Sequence, residues 1–268
     1  MTVSAATLRS SEIDTRPLPA YSAGETEMPH AITGMDEHVL RDTEWPAHSH
    51  PTHELLWNRR GASSATIGTR TWTITPTVGL WIPAGVLHSG RAPSGTWYRT
   101  AHVDVRATSP LPHEPVAVEF TPLISLLVDR LVGDPLTDES RHLTERMVFD
   151  LLEPSPHALL VQRPACDLLQ PVVAALDAHP GERRTLADWA AILGVSDRTV
   201  TRAFRTETGL SFGAWQAAAR AQHAALLLGG GMPVDEVALR VGYRSASAFG
   251  ASFRRSTGLT PARLRAVG

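Results

Sequence analysis

The 268-residue chain is 43% hydrophobic, enough for one large core or two modest ones, and no apolar run approaches the roughly 18 residues of a membrane-spanning helix, which excludes a membrane partner. Its formal charge of −2 hides an asymmetry: from position 183 onward twelve arginines face five acids, a balance of +7, and the remainder carries −9. A single cysteine, Cys166, excludes an internal disulfide, and with no charged-then-apolar leader at the start the chain is expected in a reducing cytoplasm.

Residues 1–28, rich in Ser, Thr, Ala, Pro and Glu without periodicity, are expected to form a flexible leader. From 29 to 115 the texture changes to short β-type runs (HVLRD, ELLWN, SATIG, TWTIT, GLWIP, WYRTAHVDV), punctuated by Gly, Pro and Asn or Ser about every ten residues. That texture predicts an all-β sandwich or small barrel. Trp57, Trp72, Trp81 and Tyr98 serve either as its core or, with His102 on the last strand, as walls of an effector pocket.

Within this region His48, His50, Glu54 and Gly61 read H-x-H-x(3)-E-x(6)-G, and Pro83 to His88 read P-x-G-x-x-H. Strand alternation puts His48 and His50 on one face, a hairpin returns Glu54 to it, and a second strand pair brings His88 opposite. Three imidazoles and a carboxylate suit a divalent transition metal such as Zn, Fe, Mn or Ni, among which sequence does not choose. The alternatives are an organic effector held by His48, Glu54 and the tryptophans, or barrel-rim histidines satisfied by backbone carbonyls. His53 is expected to point to the surface.

Prolines 110, 112, 115 and 122 mark the exit from the β region, and two apolar-periodic segments, 122–132 and 137–152, predict helices in a linker spanning 116–163. They either make a homodimer interface or pack on the barrel. A connecting stretch from Glu153 to Pro164 leads to a helix over 165–178, interrupted or kinked near Pro171.

The remainder, 164–268, contains one structural unit written twice, at 185–206 and 233–255, each reading helix, glycine turn, helix. Thr185 and Asp188 form a capping box; Leu186, Trp189, Ala190 and Leu193 make an apolar stripe; Gly194 turns the chain; Ser196 caps the next helix. Val200, Ala203 and Phe204 then face inward, and Arg198, Thr201, Arg202 and Arg205 outward. In the second copy Gly242 turns, Ser245 caps, Phe249 and Phe253 face inward, and Ala246, Ser247, Gly250, Ala251 and Arg254 face outward. Arginines on the outer face of a duplicated helix-turn-helix point to double-stranded DNA.

The last hundred or so residues resemble the DNA-binding domain of the AraC/XylS family of bacterial regulators, in the two units, the long helix joining them at 212–228 with Arg220, Ala224, Leu227 and Leu228, and the ending Gly258-Leu259-Thr260-Pro261. That resemblance implies base reading by Arg198, Thr201 and Arg202, with Arg205 beside them on the DNA-binding face. It also places Ser247, Gly250 and Ala251 on the reading face of the second unit, with the cap residue Ser245 among its DNA-binding residues. Because these are small, phosphate anchoring through Arg244, Arg254 and Arg255 is the expected role there. The two histidine motifs resemble those of the cupin superfamily, which implies that His48, His50, Glu54 and His88 are metal ligands, although Asp42 and Ala92 depart from the usual motif ends.

The expected fold class is α+β: an N-terminal all-β cupin-like barrel, a helical linker and a C-terminal all-α domain with two helix-turn-helix units. The expected function is a transcription regulator that responds to a small-molecule or metal effector, with RNA polymerase as a further partner. The alternative is a metal-dependent cupin enzyme with a helical appendage.

Overall fold

A computed structural model describes residues 13–107, 110–133 and 135–267. The first twelve residues of the expected leader lie outside the described residues. Two sheets form the N-terminal domain. One has the order β1-β3-β8-β5-β6-β11: β1 (Asp14–Thr15), β3 (Thr43–His48), β8 (His88–Ala92), β5 (Ser63–Ile67), β6 (Arg70–Ile74) and β11 (Leu159–Gln162). The other is β10 (Val116–Glu119), β7 (Val78–Ile82), β4 (His53–Arg60), β9 (Trp97–Val103) and β2 (Ile32–His38).

Period-2 alternation explains how the second sheet serves two layers. On β4, Glu54 and Leu56 face the first sheet, where Leu56 joins Ala65, Trp72, Ile74, Leu80 and Ile82 in the core between the sheets. Leu55 and Trp57 face the other way, against helices α1 (Pro122–Gly133) and α2 (Asp138–Leu151), whose Ile124, Val128, Leu131 and Val148 bury the sheet's outer face. The linker helices therefore pack on the sheet with these residues and leave Leu126, Leu143 and Met147 exposed.

Several elements differ from expectation. HVLRD is not a strand; β2 ends at His38 and the pairing resumes at β3, which carries His48. Two strands of the sandwich lie beyond residue 115. β10 pairs with β7, and β11, within the expected connecting stretch, pairs antiparallel with β6 from Leu159↔Thr73 to Gln162↔Arg70. The helix expected over 165–178 is interrupted just ahead of Pro171 rather than kinked there: a single 3-10 turn over Asp167–Leu169 precedes α3 (Gln170–Ala178), and Pro171 sits in its first turn, where its missing N–H costs nothing. Part of the expected leader is held on the first sheet, Asp14 N donating to Asp42 O at 2.9 Å and Arg16 N to Glu44 O at 2.9 Å.

The C-terminal domain has two cores that share one long helix, α6 (Phe212–Gly229). Val161, α3, α4 (Leu186–Ile192) and α5 (Asp197–Thr208) build the first around Trp189, Phe204 and Trp215. Leu159, α7 (Val234–Arg240), α8 (Ala246–Thr257) and α9 (Pro261–Val267) build the second around Leu228, Phe249 and Phe253. β11 thus gives its backbone to the sheet and its alternate side chains to both helical cores.

Candidate functional site

The histidine cluster lies between the sheets. Across β3 and β8 His48 pairs directly with His88, after a bulge between Trp45 and His48 that re-aims the strand end. His50 follows the end of β3 and is stopped by Pro51. Glu54 on β4 stands opposite His102 on β9. Ring centroids of His48 and His88 are 4.3 Å apart, His48 and His50 5.0 Å, and His50 and His102 4.9 Å. One ring nitrogen each from His48, His50 and His88 lie within 4.8 Å of one another.

Hydrogen bonds fix how these rings present themselves. His48 Nδ1 is 2.7 Å from Pro46 O and His88 Nδ1 is 3.0 Å from Val86 O, so each donates its Nδ1 proton to a carbonyl and turns Nε2 into the cavity. A carbonyl bound to the far nitrogen in this way fixes the tautomer and the ring orientation of an imidazole. Glu54 lies beneath them, buried, with Oε2 3.1 Å from His88 Nε2, Oε1 3.5 Å from His50 Nε2, and Oε1 accepting from Thr100 Oγ1 at 3.1 Å. Glu54 is outside the close set of three nitrogens but touches two of its members.

Electrostatics divide the imidazoles. Burial lowers His48 and His102, and lowers His50 to about 4, so these rings are neutral at physiological pH. Burial also opposes the charged form of His88, but the Glu54 carboxylate outweighs it and raises His88, while His88 and His50 lower Glu54 against its own burial. Neutral Nε2 lone pairs are what a metal needs, and a cation in this space would stand where the His88 proton now faces Glu54.

The cavity holds about 60 Å³. That is room for roughly two waters or one largely dehydrated ion, well below the ~300 Å³ at which pockets for drug-sized ligands begin. Leu18, from the segment expected to be loose, lines its mouth together with Met35 and Trp45. Tyr21 N donates to Ser49 Oγ at 2.9 Å, Ser49 Oγ donates back to Tyr21 O at 2.8 Å, and Gly24 N donates to Pro51 O at 2.7 Å, which fasten this segment beside the histidines.

Of the proposed pocket aromatics, Tyr98 and His102 do line the cavity, and Tyr98 stacks on Trp45 at 5.2 Å. Trp57 and Trp81 do not: alternation turns them to the opposite face, where Trp57 stacks on Phe120 at 4.6 Å. Trp72 is buried in the core between the sheets without lining the cavity. His53 is not a surface residue. It is half-buried and stacks on Trp81 at 4.9 Å, its Nδ1 accepting from Ala84 N at 3.1 Å.

The second candidate surface is the outer face of the duplicated unit. Thr185 caps α4 through the capping box with Asp188, Ser196 caps α5, and Gly194 between them has φ +68°, which a side chain would strain. With Val200 and Phe204 buried, α5 exposes Arg198, Arg202 and Arg205; these line one open groove with the half-buried Thr201 and with Thr206. On α8, Ser247, Ala251, Arg254 and Arg255 are exposed, Gly250 is half-buried, and Arg244 is exposed just ahead of the helix. The Ser245 hydroxyl accepts from Ala248 N at 3.2 Å, so it is engaged as the cap.

Sequence reading missed β11 and the residues of α6 that grip it. Gln222 Nε2 donates to Thr71 O at 2.6 Å and to Leu159 O at 3.3 Å, joining the helical domain to the sheet. Trp215 Nε1 donates to Gln162 O at 2.9 Å. The alternation of Leu159 and Val161 was the available signal, obscured by the prolines on both sides.

Comparison with known proteins supplies the context for both surfaces. The AraC-like ligand binding domain family matches residues 37–186, just over half of the chain, and a helix-turn-helix domain family matches 189–266. The HTH-type transcriptional regulator NimR of Escherichia coli is 28% identical over 227 residues, covering 81% of each chain. The regulator RipA of Corynebacterium glutamicum is 40% identical over 98 residues, which span 37% of this chain and 30% of that protein. Among solved structures, the C-terminal domain of AraT, a response regulator from Geobacillus stearothermophilus, shares 28% identity over 38% of this chain and 87% of its own, with a TM-score of 0.36. The chain is accordingly a member of the AraC family of transcriptional regulators, joining a ligand-binding domain to a DNA-binding helix-turn-helix domain.

Proposed function

We propose that this regulator is metal-responsive: a divalent transition ion held by His48, His50 and His88 in a cupin-like domain, with Glu54 and His102 as adjacent donors, sets its occupancy of DNA. The observation that carries the reading is the orientation of His48 and His88. Their Nδ1 protons are spent on backbone carbonyls and their Nε2 atoms converge with a neutral His50 in a space of about 60 Å³. Imidazole ligands sit about 2.0–2.1 Å from zinc, which sets tetrahedral nitrogens ~3.4 Å apart. The separations here are up to 4.8 Å, so modest side-chain rotation closes the set. The ion would supply fixed positive charge beside Glu54, and His102, held by Thr52 Oγ1 at 2.9 Å from its Nδ1, offers a further nitrogen.

On the DNA side, Arg198, Thr201, Arg202 and Arg205 read bases from α5, and Arg244, Arg254 and Arg255 anchor α8 to phosphates. The ligand strands β3 and β8 belong to the sheet that ends in β11, so a change in their spacing reaches α6 through the strand ladder and the Gln222 side chain bonded to it. We place this regulator in the cytoplasm, as a protein without catalytic turnover, with α1 and α2 available for homodimer contact through Leu126, Leu143 and Met147.

A second reading has one observation in its favour. A cleft of about 1120 Å³ with both polar and apolar lining lies between the first sheet, at Ser64, Thr66 and Thr71, and α6, at Gln222 and His223. It has the size for an organic effector that the inner cavity lacks. Metal analysis of natively purified protein alongside His48→Ala/His50→Ala separates the two. Stoichiometric metal lost in the variant supports the ion; metal-free protein in both moves the effector to the cleft.

A further inference from the structure

The two helix-turn-helix units have separate cores, one around Trp189 and Phe204, the other around Phe249 and Phe253, and α6 contributes to both. A shared helix alone leaves the angle between two small bundles soft. Here the units also meet at one junction. Gly181, in the loop that leads into α4, lies against the Gly242 turn of the second unit: a Cβ on Gly181 would sit 2.8 Å from Arg240 O, and one on Gly242 would sit 2.9 Å from Gly181 O. Behind them stands Arg220 of α6. Its Nε donates to Pro180 O at 3.3 Å, its Nη2 donates to Glu182 O, and its guanidinium lies 5.7 Å from the centre of the Tyr243 ring. Gln216 adds a bond from Nε2 to Glu182 O at 3.4 Å. Tyr243 Oη in turn donates to Ser252 Oγ of α8 at 2.7 Å.

We infer that Arg220 is a positioning residue that locks the two recognition helices into one fixed phase, through the loop before α4 on one side and Tyr243 and α8 on the other. No other side chain type does both tasks at once. A planar fork reaches two carbonyls while its face covers a ring, whereas a lysine ammonium reaches one partner and stacks poorly. The bare glycines complete the device: any side chain at 181 or 242 pushes the units apart. The consequence is a reader with one preferred gap between its two DNA contacts, in place of two independently swivelling units. The statement about DNA rests on the proposed reading role of α5 and α8; the statement about phase does not.

The test uses the full chain with Cys166→Ser and spin labels at the exposed positions Thr206→Cys and Ser256→Cys, one in each unit, read by double electron–electron resonance. With Arg220 intact the expected result is one narrow distance; Arg220→Ala and Arg220→Lys lose that single peak to a broad distribution while circular dichroism shows helicity kept. Gly181→Ala, which removes no charge, broadens it too and covers the case in which Arg220→Ala fails to fold. A narrow, unshifted peak in the folded variants overturns the inference. Selection from a random-sequence duplex library adds the functional readout: the parent recovers two half-motifs at one gap, and Arg220→Ala recovers the same halves at scattered gaps. A parent that recovers no motif counts against the DNA-reading proposal, while the spin-label distances still decide the junction.

Discussion

Gly229, the last residue of α6, offers a direct probe of the seam between the two domains. A Cβ placed there would lie 2.6 Å from Ala62 N, 2.7 Å from the Gly61 carbonyl carbon and 2.9 Å from Ala62 Cβ. Ordinary contacts between such atoms are about 3.5–4.0 Å, so the helix end and the β4–β5 turn must separate by roughly 1 Å. Two of the three atoms are backbone and have no rotamer to escape into. Overpacking of this kind costs about 1–3 kcal/mol, while replacing a helical glycine by alanine returns up to ~1 kcal/mol. Gly213→Ala in the same helix isolates the second effect, because nothing lies within 4 Å of a Cβ at that position. The difference between the two variants then reads the clash alone, and a change of about 1–3 kcal/mol is a 5- to 150-fold change in the opening equilibrium. Hydrogen exchange at the amides of β11 is the assay, since this strand bonds to β6 and packs on α6. Gly229→Ala should speed that exchange by a factor in this range relative to Gly213→Ala, with the histidine cavity and α5 unaffected. Equal exchange in the two variants would refute the close packing of α6 against the Gly61 turn.

Other outcomes follow from the same structure. Arg202→Ala should lose about 1–3 kcal/mol of binding at a selected site if its guanidinium reads a guanine, and much less on random duplex; equal losses on both, measured by fluorescence anisotropy, remove base reading from Arg202. Thr185→Ala breaks the capping box with Asp188 and should cost about 1 kcal/mol in chemical denaturation of the C-terminal domain, whereas no change assigns the helix start to packing instead. In chelator-treated protein, His48, His50, His53, His102 and His223 are held below the ordinary imidazole value, so below about pH 6.5 the unfolded chain takes up protons that the folded chain refuses. Stability should therefore fall as pH drops from about 7 to about 5. His88, raised beside Glu54, opposes this trend as one group against five. Thermal melts across that range check the sign, and His50→Gln should flatten the slope.

The C-terminal half was legible in detail because its signals are local. Capping residues, glycine turns and a 3.6-residue stripe each act within one or two turns of chain, so Thr185, Ser196 and Ser245 are found as caps and Phe204, Phe249 and Phe253 as core. The histidine motifs were legible as a cluster, since alternation and hairpin return bring His48, His50, Glu54 and His88 together. Which tryptophans share that cavity was not. Trp57 and Trp81 look like pocket walls in sequence, yet one residue of strand register sends them to the α1–α2 side. β11 escaped for a different reason. Its partners are β6, nearly ninety residues earlier, and α6, over fifty residues later, and a four-residue strand between prolines carries too little periodicity to announce itself. Leu18 at the cavity mouth likewise depends on bonds between the N-terminal segment and β3, which composition alone does not encode.

An ion at the histidine cluster that governs DNA binding, as proposed above, must leave its mark on affinity. The measurement that tests it most directly is the affinity of the full chain for its selected duplex, titrated with Zn, Mn, Fe or Ni after chelation, in parallel with His48→Ala/His50→Ala. At least one metal should change the wild-type affinity by about tenfold or more, a coupling of ~1.4 kcal/mol, and the variant should bind DNA with no metal response. Wild-type affinity that stays the same with and without every metal would contradict it.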